Sequence, residues 1–270
     1  NDECLENTFR CMDLALRWKE EGRIRHIGFA THGPTDVIVK AVKTGAFEYV
    51  NLHWYWIFQD NWPAIREARK RDMGVFIISP NDKAGMLYKP SDRLVALTSP
   101  LHPMAFNLLF CLSKPEVHTL SVGASRPEDF DIHVNAVSDR AGWDQTVERV
   151  DRRLKTEMGR VLGKEWAKSW QVGLPEWHET PGQMNIPWIL RLRNLALAFG
   201  MTEFAKMRYN LLGQGGHWFP GNRADNLGRI RPAKLMEALK RSPHAAVIPG
   251  LLKETHKMLV GKKAHRLQKG

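Results

Sequence analysis

Cysteine and long apolar runs are scarce in this chain. Cys4, Cys11 and Cys111 are its three cysteines among 270 residues, and they show no paired spacing. An odd, sparse set argues against a disulfide framework. No apolar run approaches the roughly 18 residues of a membrane span, and no signal-peptide pattern is visible. With 43% apolar and 26% charged residues, the composition predicts a globular, cytoplasmic protein without a membrane partner.

Acidic residues are scarce toward the end of the chain. Residues 223–270 contain twelve Lys or Arg against three acidic residues, out of a net charge of +11. Such a surface can bind nucleic acid or an anionic membrane through counterion release. The nearest aromatics, Trp218 and Phe219, lie in a Gly-rich loop apart from the basic residues. A solvated helical surface is therefore the favoured interpretation, with nucleic-acid binding as the alternative.

Short apolar segments alternate with helical patterns in the first half of the chain. A helix with one apolar face is predicted over residues 2–21. Four strands are then predicted, at residues 26–31, 49–54, 75–78 and 118–123. Helical spacing after each strand predicts parallel pairing through right-handed crossovers, with helices covering the sheet. The sequence therefore predicts an α/β class with a working face at the loops that follow the strands.

Strand signals stop after about Asp139. Helical periodicity dominates from there, at residues 147–161, 189–199 and 204–212. We predict two domains: residues 1–139 form a barrel-like domain, and residues 140–270 form a helical extension that is basic toward its end.

The last predicted strand leads into a helix through small residues. Gly123, Ala124 and Ser125 follow the strand, and Pro127 fits the first helical turn. Free N–H groups at a helix N-terminus carry partial positive charge, and small residues let a phosphate approach them. The pattern predicts a phosphate-binding corner, provided that these amides are not consumed by bonds within the chain.

Two other strand ends carry polar residues. Alternation puts Asn51 and His53 on one face of the second strand, where a closed barrel would offer them to a ligand. A hydrogen-bonded structural role is the alternative, favoured for His53. Residues 79–85 end the third strand with several donors and a flexible glycine, which suits a cofactor pyrophosphate. Lys83 in that loop is interpreted as a surface charge. Thr31 and His32 end the first strand in a similar way, with a simple turn as the alternative to ligand contact.

Four segments in matching order, residues 22–33, 49–54, 74–85 and 121–129, resemble the second half of an aldo/keto reductase. The resemblance covers residues 1–139. It implies the C-terminal half of a (β/α)8 TIM barrel, with four βα units, whose strand ends hold a nicotinamide cofactor, usually NADPH. It also implies an N-terminal truncation, because the family's catalytic Tyr, Lys, Asp and His come from the first four strands. No residue here inherits a catalytic role.

The same resemblance assigns cofactor contacts. Thr31 and Asn51 stand at the nicotinamide carboxamide, and Ser79 and Pro80 stand at the nicotinamide ring. Arg126 is able to pair a 2′-phosphate bidentately. Asp129 occupies a position that often holds Arg and would repel a phosphate, so NAD stays an alternative to NADP. The predicted cofactor-binding residues are Thr31, Asn51, Ser79, Pro80, Gly85, Gly123, Ala124, Ser125 and Arg126.

The helical region is similar to an extension of some aldo/keto reductases that carries a ferredoxin-like iron–sulfur segment. The similarity lies in residues 185–194 and 215–221. Those relatives place closely spaced cysteines before the Asn-Ile-Pro sequence, whereas no cysteine follows Cys111 here. Thiolate ligation is therefore excluded, and no iron–sulfur cluster is expected. His178 and Glu179 are too sparse to imply another metal.

Two functions follow from the sequence. The first is an NADP(H)-dependent oxidoreductase of the aldo/keto reductase type, which interconverts carbonyls and alcohols, present here as a fragment without catalytic residues. Its small-molecule carbonyl substrate belongs to the intact parent. The alternative is a non-catalytic interaction protein built from a half-barrel and a basic helical appendage. In both, a missing N-terminal half or a partner chain has to complete the barrel, because a half-sheet exposes an unpaired strand edge.

Overall fold

The computed structural model describes residues 2–214 and 220–262. Residues 215–219 of the iron–sulfur-like similarity, and the last basic residues, 263–270, lie outside the described part. The chain divides into two compact units. The first comprises Asn1–Lys89 and Leu101–Val147, and the second comprises Pro90–Pro100 and Glu148–Gly270. A segment that the sequence places in the barrel-like domain, Pro90–Pro100, therefore belongs to the helical unit.

A parallel sheet of four strands forms the centre of the first unit, in the order β1-β2-β3-β4. Its register places Ala30 beside Asn51, Asn51 beside Phe76, and Phe76 beside Thr119. The predicted α/β class, the four strands and their parallel pairing are confirmed. The strands are β1 (Gly28–Ala30), β2 (Tyr49–Leu52), β3 (Gly74–Ile78) and β4 (Thr119–Ser121).

Helices alternate with these strands, as the periodicity predicts. The predicted first helix is divided in two, because the Cys11 amide donates to the Thr8 carbonyl at 3.2 Å and tightens the chain into a turn. The helices of this unit are α1 (Asp2–Arg10), α2 (Met12–Glu20), α3 (Thr35–Lys43) and α4 (Trp62–Lys70), then, beyond α5 (Asp92–Thr98) of the second unit, α6 (Pro103–Leu112) and α7 (Glu128–Ser138).

The two faces of the sheet differ in burial. On the face toward the helices, Val50 and Leu52 of β2 are fully buried, as are Val75 and Ile77 of β3. On the opposite face, alternate residues of the same strands are only partly buried, and Thr119 and Ser121 of β4 are exposed. These partly buried residues are Tyr49, Asn51, Gly74, Phe76 and Ile78.

Gly28 has no side chain, and this leaves room for the Tyr49 ring on the open face. A Cβ added at Gly28 would lie 2.4 Å from Cδ2 of Tyr49, closer than real atoms approach. The Tyr49 ring meets the Phe76 ring edge to face, with centroids 5.3 Å apart. The open face is thus aromatic at its centre, and β1 must stay free of a side chain at Gly28.

Among its described residues, the second unit consists of helices and connecting loops and contains no strand. The three helices predicted for it are confirmed as α8, α10 and α11. The Asn185 side chain caps α10 by accepting from the Trp188 amide at 3.1 Å, and left-handed Gly200 ends that helix. Its helices after α5 are α8 (Asp144–Leu162), which begins in the first unit, α9 (Lys164–Ser169), α10 (Ile186–Phe199), α11 (Thr202–Leu211), α12 (Pro232–Leu239) and α13 (Ile248–Leu259).

Of the helices in the described ranges, none is by itself long and apolar enough to cross a membrane, and α5 and α6 meet that test only when joined.

Candidate functional site

A groove of about 580 Å³ runs along the open face of the sheet. Its walls come from β2, β3 and β4, with Tyr49, Asn51 and Phe76 in the middle. Apolar rings and one amide therefore form the floor of a cavity at the side of the sheet that the helices leave open.

Asn51 has an unused acceptor in this groove. Its Oδ1 atom is buried, and no described residue donates a hydrogen bond to it. A buried acceptor without a donor costs about 1–3 kcal/mol, and a ligand in the groove would recover this cost only after the Asn51 side chain turns to expose Oδ1. Asn51 is also the residue predicted to meet the nicotinamide carboxamide, and that role stays a prediction.

Thr31 forms a turn at the end of β1. Its amide donates to the Asn51 carbonyl at 3.1 Å, and its Oγ1 accepts from the Gly33 amide at 2.9 Å. Thr31 therefore stands beside Asn51 in the sheet, while its hydroxyl oxygen stabilises the backbone of its own loop.

The loop after β3 is folded on itself. The Ser79 amide donates to the Ser121 carbonyl at 3.2 Å, and the Gly85 amide donates to the Asp82 carbonyl at 3.2 Å. Pro80 is buried, and its carbonyl accepts from Nδ2 of Asn107 at 2.8 Å. The backbone donors predicted to cradle a pyrophosphate at Ser79 and Gly85 are thus used within the chain.

Lys83 in this loop is not a surface charge, which corrects the sequence interpretation. It is 6% exposed. Its Nζ lies 2.9 Å from Nε2 of His32 and 3.2 Å from Nε2 of His53. The turn after β3 directs the side chain back over the sheet, where the ends of β1 and β2 supply the two imidazoles.

A directional chain of hydrogen bonds continues from Lys83. Tyr55 donates its hydroxyl proton to the Ile78 carbonyl, which can only accept. Nδ1 of His53, 2.6 Å from that hydroxyl, is therefore the donor to it, so Nε2 of His53 accepts from Lys83. The sequence analysis missed Tyr55 and assigned Lys83 to the surface. The signal was that His32 and His53 each follow a parallel strand, which puts them at the same edge of the sheet.

The corner after β4 differs from its prediction. Asp129 is fully buried, and its Oδ2 accepts from the amides of Ser125 at 2.8 Å and Arg126 at 3.2 Å. Nε of Arg126 lies 3.4 Å from its Oδ1. These bonds, first that from Ser125, lower the pKa of Asp129. The expectation that the corner amides stay free is wrong at Ser125 and Arg126, because a carboxylate in the first turn of α7 folds back to cap them.

A buried amide joins this corner to the loop after β3. Nδ2 of Asn81 donates to the Gly123 carbonyl at 2.5 Å and to Nε2 of His133 at 2.8 Å. Burial lowers the pKa of His133, against the opposing effect of Asp129. Nδ1 of His133 is buried without a partner among the residues described. The corner is therefore held by a neutral histidine on one side and an ionised aspartate on the other.

The two ends of a nicotinamide dinucleotide fit these residues differently. Asn51 offers a carboxamide group an unused, buried acceptor at the groove. At the adenosine end, the donors predicted for phosphate at Ser125 and Arg126 already bind Asp129. The corner therefore does not offer the amides of Ser125 and Arg126 to the phosphate end of NADP.

Comparison with known proteins adds no family to this picture. No protein-family model matches the chain, and no curated protein matches it significantly. In residues 2–214 and 220–262, no three His, Cys, Asp or Glu side chains come together as metal ligands. The candidate site thus rests on the geometry of the first unit.

Proposed function

We propose that the first unit is a half-barrel whose function is to bind a complementary set of parallel β/α units, and that it works with this complement rather than as an enzyme alone. The observation that carries the proposal is the sheet covered by helices on one face only. Parallel sheets are ordinarily buried on both faces, because their crossovers place helices or a barrel interior against each.

Both edges of the sheet support this proposal. β1 pairs only with β2, and β4 pairs only with β3, among the strands of the described chain. An unpaired edge offers backbone N–H and C=O groups to another strand. A complement that adds parallel strands at β1 and β4 would satisfy both edges and cover the groove between them.

The helices beside the two edges carry exposed apolar residues. On α7, which follows β4, Phe130 is 49% exposed, Val134 61% and Val137 49%. Their spacing of four and three residues puts them on one stripe. On α2, which precedes β1, Leu14 is 43% and Trp18 36% exposed. Apolar stripes at both ends of the sheet are typical of surfaces that pack against further helices.

The proposed closure is an eight-stranded barrel, to which this sheet contributes four strands. Eight strands close into a barrel whose interior side chains just fill it. Tyr49 and Phe76 already project into a groove of about 580 Å³, which the inward residues of about four more strands would fill. The proposed complement is thus another half-barrel.

A second function is favoured by Asn51 and by the Lys83 cluster. Both lie at the carboxyl ends of the strands, where ligand sites of parallel barrels form. Completed with catalytic side chains from its complement, the barrel would be an oxidoreductase of the aldo/keto reductase type that acts on a small carbonyl compound. The closed corner at Asp129 argues against NADP as its cofactor, and this is why barrel completion is the first proposal.

Binding to a complementary half tests the first proposal. The probe is the first four β/α units of an aldo/keto reductase, produced separately and titrated into the full chain. We expect a one-to-one complex that Val134→Lys weakens at least about tenfold, because a charge enters the apolar stripe. Asn135→Lys on the exposed side of α7 is the matched control and should bind like the parent chain.

Amide hydrogen exchange provides a second test of the first proposal. Amides of β1 and β4 should exchange faster than those of β2 in the chain alone and slow down in the complex. The proposal would be contradicted if the chain stays monomeric, binds no half-barrel, and protects the amides of β1 and β4 from exchange as well as those of β2. Aldehyde reduction that appears only in the complex would support the second function.

A further inference from the structure

The corner after β4 is exposed to solvent, but two of its backbone amides already donate hydrogen bonds within the chain. Gly123 and the residues up to Glu128 are exposed. A Cβ added at Gly123 would meet no atom within 4 Å. Beneath this open loop, the carboxylate of Asp129 is 0% exposed and takes the amides of Ser125 and Arg126.

We propose that Asp129 is a built-in anion that excludes phosphate groups, both monoesters and diphosphates, from this corner. A phosphate at a helix N-terminus needs the backbone N–H groups of the first turn and a nearby cation. Here the first-turn amides of Asp129 and Phe130 donate to the carbonyls of Arg126 and Pro127. In the loop just before the helix, the amides of Ser125 and Arg126 donate to Asp129, and Nε of Arg126 approaches the same carboxylate. An arriving phosphate would have to displace a like charge that cannot leave, because it is covalently part of the helix.

The surroundings of Asp129 reinforce the exclusion. Glu128 and Asp131 add two more acidic residues to the first turn of α7. Asn81, the buried amide at this corner, gives both of its Nδ2 protons to Gly123 and His133. The amides of Ser125 and Arg126 and the side-chain amide of Asn81 are thus already engaged, while the excess charge of the turn is negative.

The exclusion is independent of barrel completion, since every residue that it depends on lies in the loops after β3 and β4 or in α7. We therefore expect that a dinucleotide with a 2′-phosphate gains no binding affinity from this corner. Removal of the carboxylate, with the loop unchanged, should convert the corner into an anion site.

Substitution of Asp129 in the full chain tests the proposal. The probes are inorganic phosphate and NADPH, followed by the amide NMR signals of Ser125 and Arg126 and by cofactor fluorescence. The parent chain should show no response at millimolar phosphate. Asp129→Ala, which frees both amides, should bind phosphate at least about tenfold more tightly, and Asp129→Asn, which keeps an acceptor without the charge, should fall between them.

Asp131→Asn is the matched control, because it removes the same charge from an exposed position of the same helical turn. It removes only a reinforcing charge and leaves the amides of Ser125 and Arg126 bound to Asp129, so it should gain far less phosphate affinity than Asp129→Ala. Two results would overturn the proposal: a phosphate or NADPH response at Ser125 and Arg126 in the parent chain, or no gain in an Asp129 variant whose spectrum shows the native fold. The first of these results is measured on the parent chain alone, so the proposal stays testable even if Asp129→Ala folds poorly.

Discussion

At the scale of single residues, Lys83 shows how distant partners determine the role of a side chain. Its sequence neighbours, Asp82 and Gly85, are typical of an exposed turn. In the structure its ammonium group lies between His32 and His53, from other loops, 51 and 30 residues away. Nothing local signals that contact, because it exists only once three parallel strands lie side by side.

Replacement of Lys83 by Met should therefore destabilise the first unit. Met keeps the apolar stem but leaves Nε2 of His53, on a side chain that is 2% exposed, without the donor seen here. A buried acceptor that loses its donor costs about 1–3 kcal/mol. Chemical denaturation should show a loss in that range. Lys89→Met, at an exposed position of the same loop, is the control and should change stability by less than about 0.5 kcal/mol; equal effects would refute the structural role of Lys83.

At the scale of elements, local patterns were sufficient for strands and helices but not for their boundaries. The periodicity at residues 26–31 and 118–123 predicted strands, and both exist as shorter segments, Gly28–Ala30 and Thr119–Ser121. The predicted helix over residues 2–21 has a break at Cys11 that no proline or glycine announces. Period and propensity specify the type of an element, whereas packing decides where it stops.

Gly28 leads to a testable prediction at the scale of elements. Gly28→Ala would place a Cβ against the Tyr49 ring, 2.4 Å from its Cδ2, and ring atoms held by Phe76 do not move aside easily. Overpacking of this kind costs about 1–3 kcal/mol. Thermal unfolding should show a lower midpoint for Gly28→Ala, whereas Gly123→Ala, where the added Cβ meets open space, should unfold like the parent. An unchanged midpoint for Gly28→Ala would mean that Tyr49 is free to leave the open face.

At the scale of the whole molecule, two histidines link the stability of the chain to pH. Burial lowers the pKa values of both His102 and His133 from the ordinary 6.5, and Asp129 only partly offsets this effect. Both histidines therefore stay neutral in the native state at pH values at which the same side chains bind protons in the unfolded chain. Stability is fully present above about pH 6.5 and is lost as the pH falls below it, by at most about 1.4 kcal/mol per pH unit for each histidine.

His133→Gln should reduce this acid sensitivity. The glutamine carbonyl is able to accept from Asn81 as Nε2 of His133 does, but it takes up no proton. We expect the free energy of unfolding to fall less steeply between pH 7 and pH 5 in this variant, with His102 responsible for a remaining slope. His178→Gln, at an exposed histidine, is the control. An identical slope in His133→Gln and the parent would show that His133 takes up its proton without unfolding.

The sequence by itself determined which segments are strands and helices, that the strands run parallel, and that thiolate chemistry is excluded beyond Cys111. These properties follow from period, composition and residue type, all of which are local. Only the tertiary structure decided that Lys83 is buried, that Asp129 holds the amides of the corner, and that one face of the sheet is open. Each depends on which groups meet after folding, and hydrogen bonds form between whichever donors and acceptors the packing brings within about 3 Å.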